Sequence, residues 1–297
     1  MIDNMTRDKY TLDALAKVYI SLHIFDLVED KLFPLKSNEH IEKWSEGFES
    51  CQEKLRNVMK QITVEEHQDM IMQFIDFSTL EERMKGHDTI VAVFRGKVSG
   101  WCKVRFIRVH SEADEKLRYV LYAVECIDEE KKKENQLVYL SQTDLMTGIY
   151  NRGFGEKTIS ELLEKERKGL FCLFDIDKLK NVNDKYGHIV GDKVLIAVAE
   201  ALKSVQRPDD VIMRLGGDEF AAYFADVDSG EKASEIISHL FDEIAKIHIA
   251  PMANEISVSL GAVMYRSGLT FDLIYKLADK GVYDSKNCKG NTYTFQN

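Results

Sequence analysis

The tightest constraint in this chain is a pair of glycines set between two short apolar runs. Val211 to Leu215 and Phe220 to Phe224 flank Gly216-Gly217, and the gap is closed by two acids, Asp218-Glu219. Strand-forming runs joined by a glycine turn predict a hairpin. A chain that buries both runs must leave two carboxylates at the hairpin's tip. A second apolar run, Lys168 to Phe174, reads as a buried strand and ends directly in Asp175-Ile176-Asp177. Two acidic clusters therefore stand where strands end. Carboxylates gathered in this way repel one another, and oxygen-only ligation favours Mg²⁺ or Mn²⁺ as the neutralising ion. The layout suits two metal ions that promote attack on phosphorus.

Helices fill the intervals. Gly191 to Gln206 puts Val194, Leu195, Val198, Ala199 and Leu202 on one side, and Ala233 to Ile247 repeats the pattern with Ile236, Ile237, Leu240 and Ile244. Glu255 to Tyr265 alternates as a strand, and Phe271 to Lys286 is a closing helix. From Thr143 onward this predicts a βαββαβ-like sheet with helices on one face.

The first part of the chain is organised differently. Leu12, Leu15, Ala16 and Val18 are spaced as a helix, a strand is expected around Ile20 to Val28, and helical spacing dominates from Glu39 to Lys85. Three strands follow, at Thr89 to Phe94, Gly100 to Val109 and Leu117 to Ile127, the pattern of an antiparallel run. Asp128 to Gln142 is free of Gly and Pro and rich in charge, so it predicts a solvated helix. Its short seam of Leu137, Leu140 and Ile127 admits two readings, a pair with a second copy or a plain helical linker. The expected class is α+β with two domains: 1–128, a helical linker over 129–142, and 143–297.

Composition narrows the partners. Fifty acidic residues against forty basic ones give a net charge of −10, so no basic field holds a nucleic-acid backbone. Five scattered cysteines suggest neither a disulfide framework nor a zinc cluster, and a reducing compartment fits best. The first residues lack an apolar leader core and no run reaches the ~20 apolar residues of a membrane span, so the expected location is the cytoplasm without a membrane partner.

The wording of the segments carries a resemblance. Arg214-Leu215-Gly216-Gly217-Asp218-Glu219-Phe220 is similar to the signature hairpin of the GGDEF family, the diguanylate cyclases. Asp144 to Arg152 (DLMTGIYNR) resembles that family's opening motif, Asp175 to Asp192 its core, and Ala278 to Lys286 its closing helix. The resemblance covers about residues 140–297 and implies a ferredoxin- or polymerase-palm-like core. It implies that two GTP are condensed to cyclic di-GMP with release of two pyrophosphates. Each domain holds one GTP, so the working form is a homodimer.

By the same resemblance, Asp175, the main-chain oxygen of Ile176, Asp218 and Glu219 form the metal set, with two Mg²⁺ or Mn²⁺ per active half-site. Glu219 is either a further ligand or the base for the ribose 3′-hydroxyl, since either carboxylate can do either job. Asn183 and Asp192 match guanine-reading positions, and a carboxylate suits the N1 and N2 donors of GTP. Lys180 offsets charge on the triphosphate or is a solvated lysine; the amides of Leu179 and Lys180 suit phosphate. His188 touches substrate or packs as a structural residue. Lys286 would reach the β- or γ-phosphate. Gly290 falls where the family places a second cation, and Lys289 is the substitute. Arg207 and Asp210, spaced as RxxD before the hairpin, match a site where cyclic di-GMP inhibits as product. The alternative is a catalytically silent module that binds GTP or cyclic di-GMP and signals to a partner.

Residues 1–128, with Ser99-Gly100-Trp101 opening one long strand and Ile127-Asp128 closing the last, resemble a PAS sensory domain. Such a domain implies regulation and leaves room for an unknown small-molecule ligand. His23, His40, His67, His87 and His110 are isolated and read as ordinary residues rather than haem ligands.

Overall fold

The structure is a computed structural model that describes residues 17–37, 39–109, 116–252, 256–288 and 290–296. Leu12, Leu15, Ala16, His110 and Lys289 lie outside the described residues, as does the first residue of the strand expected from Glu255. The chain divides into two compact units between Asn135 and Gln136.

In the first unit, β1 (Tyr19–Asp26) and β2 (Lys31–Lys36) precede four helices: α1 (Glu39–Ser45), α2 (Cys51–Ile62), α3 (Glu65–Phe74) and α4 (Leu80–Arg83). Then come β3 (Thr89–Gly96), β4 (Gly100–Val109) and β5 (Tyr119–Cys126). The strand order is β2-β1-β5-β4-β3, and every neighbouring pair is antiparallel. Alternation decides the buried face. Cys102, Val104 and Phe106 of β4 and Val120, Tyr122 and Val124 of β5 pack with Leu55 and Met59 of α2, Ile71 of α3 and Leu80 of α4. Ser50 starts α2 by accepting a hydrogen bond from the Glu53 amide at 3.1 Å. Sequence reading missed β2, because Pro34 sits in it; as an edge strand it tolerates the missing donor.

This core is not filled. A cavity of about 640 Å³ is lined by Ser21, His23, Met59, Cys102 and Tyr122 among others. Burial pushes the His23 imidazole down to about 4, so the ring is neutral; its Nδ1 lies 3.0 Å from the Ser21 hydroxyl.

Helix α5 (Asp128–Gln142) spans the division and matches its expected bounds. Leu137, Val138, Tyr139 and Leu140 are exposed on it. The second unit runs β6 (Tyr150–Asn151), α6 (Arg152–Glu164), β7 (Gly169–Ile176), α7 (Leu179–Tyr186), α8 (His188–Val205), β8 (Val211–Gly216), β9 (Glu219–Ala225), α9 (Gly230–Ala245), β10 (Val258–Met264), α10 (Phe271–Ser285) and β11 (Thr292–Gln296). Its sheet has the order β11-β10-β7-β9-β8-β6, with β7 antiparallel to both neighbours.

Helices cover both faces of this sheet, which corrects the one-sided arrangement expected from sequence. Leu170, Cys172, Phe174 and Ile176 of β7 pack with α8 and α9, whereas Phe171 and Leu173 pack with Ile159 and Leu163 of α6 and with Ile274, Ala278 and Val282 of α10. The physical reason is in the run itself: a strand apolar at every position must be covered twice. No helix among the described residues is long and apolar enough to cross a membrane.

Candidate active site

The glycine turn is where the chain cannot accept most side chains. Gly216 and Gly217 take φ of +147° and +54°. Arg214 braces the turn: its Nη2 donates to the Gly217 carbonyl at 2.7 Å, and its Nη1 lies 3.3 Å from the Asp144 carboxylate. Asp144 also accepts from the Thr147 amide and hydroxyl at 2.9 and 2.7 Å. Burial raises its proton affinity, but these donors and the Arg214 charge outweigh it, so its pKa is lowered. The opening motif and the hairpin are thus tied together.

Pairing of β7 with β9 puts Asp175 directly opposite Glu219. The Ile176 amide donates to the Asp218 carbonyl at 3.2 Å, which fixes the end of β7 to the turn. Lys286, at the end of α10, places its Nζ 2.9 Å from Asp175 Oδ2. The charges respond to this crowding. The Glu219 pKa is raised, first by burial and then by the charges of Asp175, Asp218 and Asp279, with Lys286 opposing. Asp175 is raised by burial and by Asp218 and Asp177, with Lys286 again opposing. Burial pulls Lys286 down, but its bond to Asp175 and the surrounding acids outweigh that and raise it. Lys286 therefore supplies positive charge that the cluster needs.

The donor set fits a hard divalent cation, because its side-chain and main-chain ligands are all oxygens and its carboxylates are short of positive charge. Among the described residues, no three His, Cys, Asp or Glu side chains already converge as a closed metal site.

Other expected residues are placed around this centre. Asp177, grouped with Asp175 in the sequence, turns to β10 and accepts from the Ser257 and Ser259 hydroxyls at 2.7 and 2.8 Å. Lys178 follows in the left-handed region at φ +57° and starts α7, whose first amides, those of Leu179 and Lys180, lack helical acceptors. Leu179 is buried and Lys180 exposed. Asn183 lies against Gly191 so closely that any Cβ at 191 would collide with its carboxamide. Asp192 follows on the same helix, half-buried. His188 is exposed at the start of α8, which removes the packed-core reading.

Arg207 and Asp210 hold each other. Arg207 Nε and Nη2 each donate to Asp210 at 3.0 Å, the Arg207 and Ala225 amides donate to it at 2.9 Å, and Asp210 is buried. That carboxylate anchors a turn and is not free to receive a guanine edge. Half of Arg207 stays exposed.

Two residues went unassigned in the sequence. A cleft of about 140 Å³ beside Asp175 and Glu219 is lined also by Asp279 and Tyr283. With Lys286 they are spaced four and three apart on α10, so helical period alone marks one face.

A family model described as "Diguanylate cyclase, GGDEF domain" matches residues 141–292. The chain belongs to this family. It is 27% identical over 212 residues to "Probable diguanylate cyclase DgcT" of Escherichia coli (strain K12), covering 68% of this chain and 45% of that protein. It is 31% identical over 176 residues to "Diguanylate cyclase DgcM" of the same strain, covering 57% and 42%. The chain thus spans less than half the length of these curated relatives. The coiled coil and GGDEF domain of DgcB from Caulobacter crescentus, solved in complex with c-di-GMP, has the same fold over 57% of this chain and 93% of that one, at a TM-score of 0.52 and 24% identity.

Proposed function

We propose that the second unit condenses two GTP to cyclic di-GMP and two pyrophosphates, as a homodimer in the cytoplasm, with one GTP on each chain. The observation that carries this reading is the pairing of Asp175 with Glu219 across β7 and β9, with Lys286 on Asp175. Asp175, the Ile176 carbonyl, Asp218 and Glu219 would hold Mg²⁺ or Mn²⁺, two per active half-site. When bound, the metal supplies Lewis-acid activation of the 3′-hydroxyl and balances charge on the leaving pyrophosphate.

The chain's own residues do the rest. Asn183 and Asp192 read guanine, Asp192 accepting from the N1 and N2 donors, which favours GTP over ATP. Lys180, the amides of Leu179 and Lys180, His188, Lys286 and Lys289 orient the triphosphate. Lys286, which sits on Asp175, would turn to phosphate where a cation neutralised that carboxylate. Glu219 acts as ligand or as base.

The first unit serves as a PAS-like sensor that acts through α5. Support comes from its strand order, 2-1-5-4-3, its cavity of about 640 Å³, and the exposed Leu137 and Leu140 available to a second copy. A small molecule filling that cavity is its natural input. Cyclic di-GMP inhibits as product by pairing with Arg207, which Asp210 positions.

A second reading is the silent module, favoured by the absence of three converged metal-ligating side chains among the described residues. Chromatography of products from GTP and Mg²⁺, with wild type beside Glu219→Gln, separates the two. Cyclic di-GMP from the wild type alone supports the cyclase; GTP binding by both proteins without product supports the silent module. If the cyclase holds, Arg207→Ala abolishes inhibition by added cyclic di-GMP.

A further inference from the structure

Cys102 and Cys126 face each other across β4 and β5. The adjacent pair is Trp101 with Ile127, joined by the Ile127 amide donating to the Trp101 carbonyl at 2.8 Å. Hydrogen-bonded and non-hydrogen-bonded pairs alternate along an antiparallel ladder, so the cysteines form a non-hydrogen-bonded pair, the kind whose Cα atoms approach to about 4.5 Å. Disulfides require a Cα separation of roughly 4.4–6.8 Å. Facing residues also share a sheet face, and this one is the face of Val104, Phe106, Tyr122 and Val124.

Both sulfurs gather at one residue of the β3–β4 turn. Cys102 Sγ lies 3.2 Å from the Ser99 hydroxyl, and Cys126 Sγ donates to the Ser99 carbonyl at 3.3 Å. Their exposures differ sharply. Cys102 is 1% exposed, whereas Cys126 is open to solvent, and both are free thiols. Burial raises the Cys102 pKa, and the neighbouring Cys126 and Asp128 add to it while Ser99 opposes, so Cys102 stays protonated and the first oxidation falls on Cys126.

We propose that Cys102 and Cys126 are an oxidative modification site that closes to a reversible intrachain disulfide on exposure to a hydroperoxide. The Cys126 sulfur attacks one peroxide oxygen; the O–O bond breaks, the departing hydroxide takes the Cys126 proton and leaves as water, and a sulfenic acid forms. The Cys102 sulfur then attacks the Cys126 sulfur; the S–O bond breaks and water leaves with the Cys102 proton. Two thiols and one hydrogen peroxide become one disulfide and two waters. The bond would clamp β5 to β4 just before Asp128 begins α5, on the wall of the cavity that Cys102 lines.

The test uses the full chain carrying Cys288→Ser, which removes the other exposed thiol. The folded protein is treated with graded hydrogen peroxide, alkylated, and digested with trypsin without reduction. The expected result is concerted loss of two thiols per chain, a linked pair of peptides 98–103 and 119–131, and full recovery of both thiols with dithiothreitol. With Cys126→Ser added, the linked pair disappears and Cys102 is recovered as free thiol. Accumulation of Cys126 as sulfinic acid or as a mixed adduct, with Cys102 still free, overturns the proposal.

Discussion

The two sheets of this chain meet the same requirement in opposite ways. In the first unit, helices cover one face of an antiparallel sheet and leave about 640 Å³ of space beside a neutral histidine. In the second, β7 is packed on both faces and the cleft at its end is only about 140 Å³, yet three carboxylates and a lysine crowd its rim. The first cavity is walled mostly by apolar side chains, whereas the cleft at Asp175 crowds charge into little space. A filled core cannot solvate an acid, so acids collect where the central strand ends.

Asp175→Asn should lower GTP turnover on the order of a thousandfold by weakening the metal and transition-state charge balance. Its melting temperature should not fall, since burial already disfavours the Asp175 charge. Turnover within tenfold of wild type counts against the assigned role.

His23 stays neutral in the fold down to about pH 4, whereas in the unfolded chain it takes a proton below about 6.5. Its contribution is therefore complete above pH 6.5 and is lost as pH falls toward 4, up to about 3 kcal/mol. Both tryptophans, Trp44 and Trp101, belong to the first unit, so denaturant unfolding followed by their fluorescence isolates it. His23→Gln should flatten that pH slope; an unchanged slope excludes His23 as its source.

Smaller effects sharpen the picture. Gly191→Ala drives a Cβ into Asn183 and should raise the KM for GTP about tenfold, near 1.4 kcal/mol, with less change in kcat. An unaltered KM would remove Asn183 from guanine recognition. Arg214→Ala unties the turn from Asp144 and should cost the second unit about 1 kcal/mol. Circular dichroism should register that loss while tryptophan fluorescence does not move.

Much of the second unit was legible because its constraints are local. The glycine pair fixed the hairpin, and the run ending in Asp175 fixed β7 and its outlet. Its double cover was legible too, in a strand apolar on both faces from Leu170 to Phe174, although the order of strands and helices alone suggests a one-sided sheet. Asp177 was not legible: strand alternation puts it beside Asp175, but β7 ends at Ile176 and the hydroxyls of Ser257 and Ser259, distant in sequence, capture it. Nor was the Arg207–Asp210 lock, since the motif says which residues are present and not whom they bond. Asp279 and Tyr283 were readable from helical period. The cavity of the first unit was not, because space between a sheet and its helices has no signature in any single residue.

Turnover of GTP by the purified protein with Mg²⁺, with ATP run in parallel and bound cyclic di-GMP first removed, tests the Asp175–Glu219 centre itself. Cyclic di-GMP and pyrophosphate should form in a ratio of one to two, with ATP unconverted. Tight GTP binding with no product, in Mg²⁺ or Mn²⁺ and at every protein concentration, would contradict the cyclase reading.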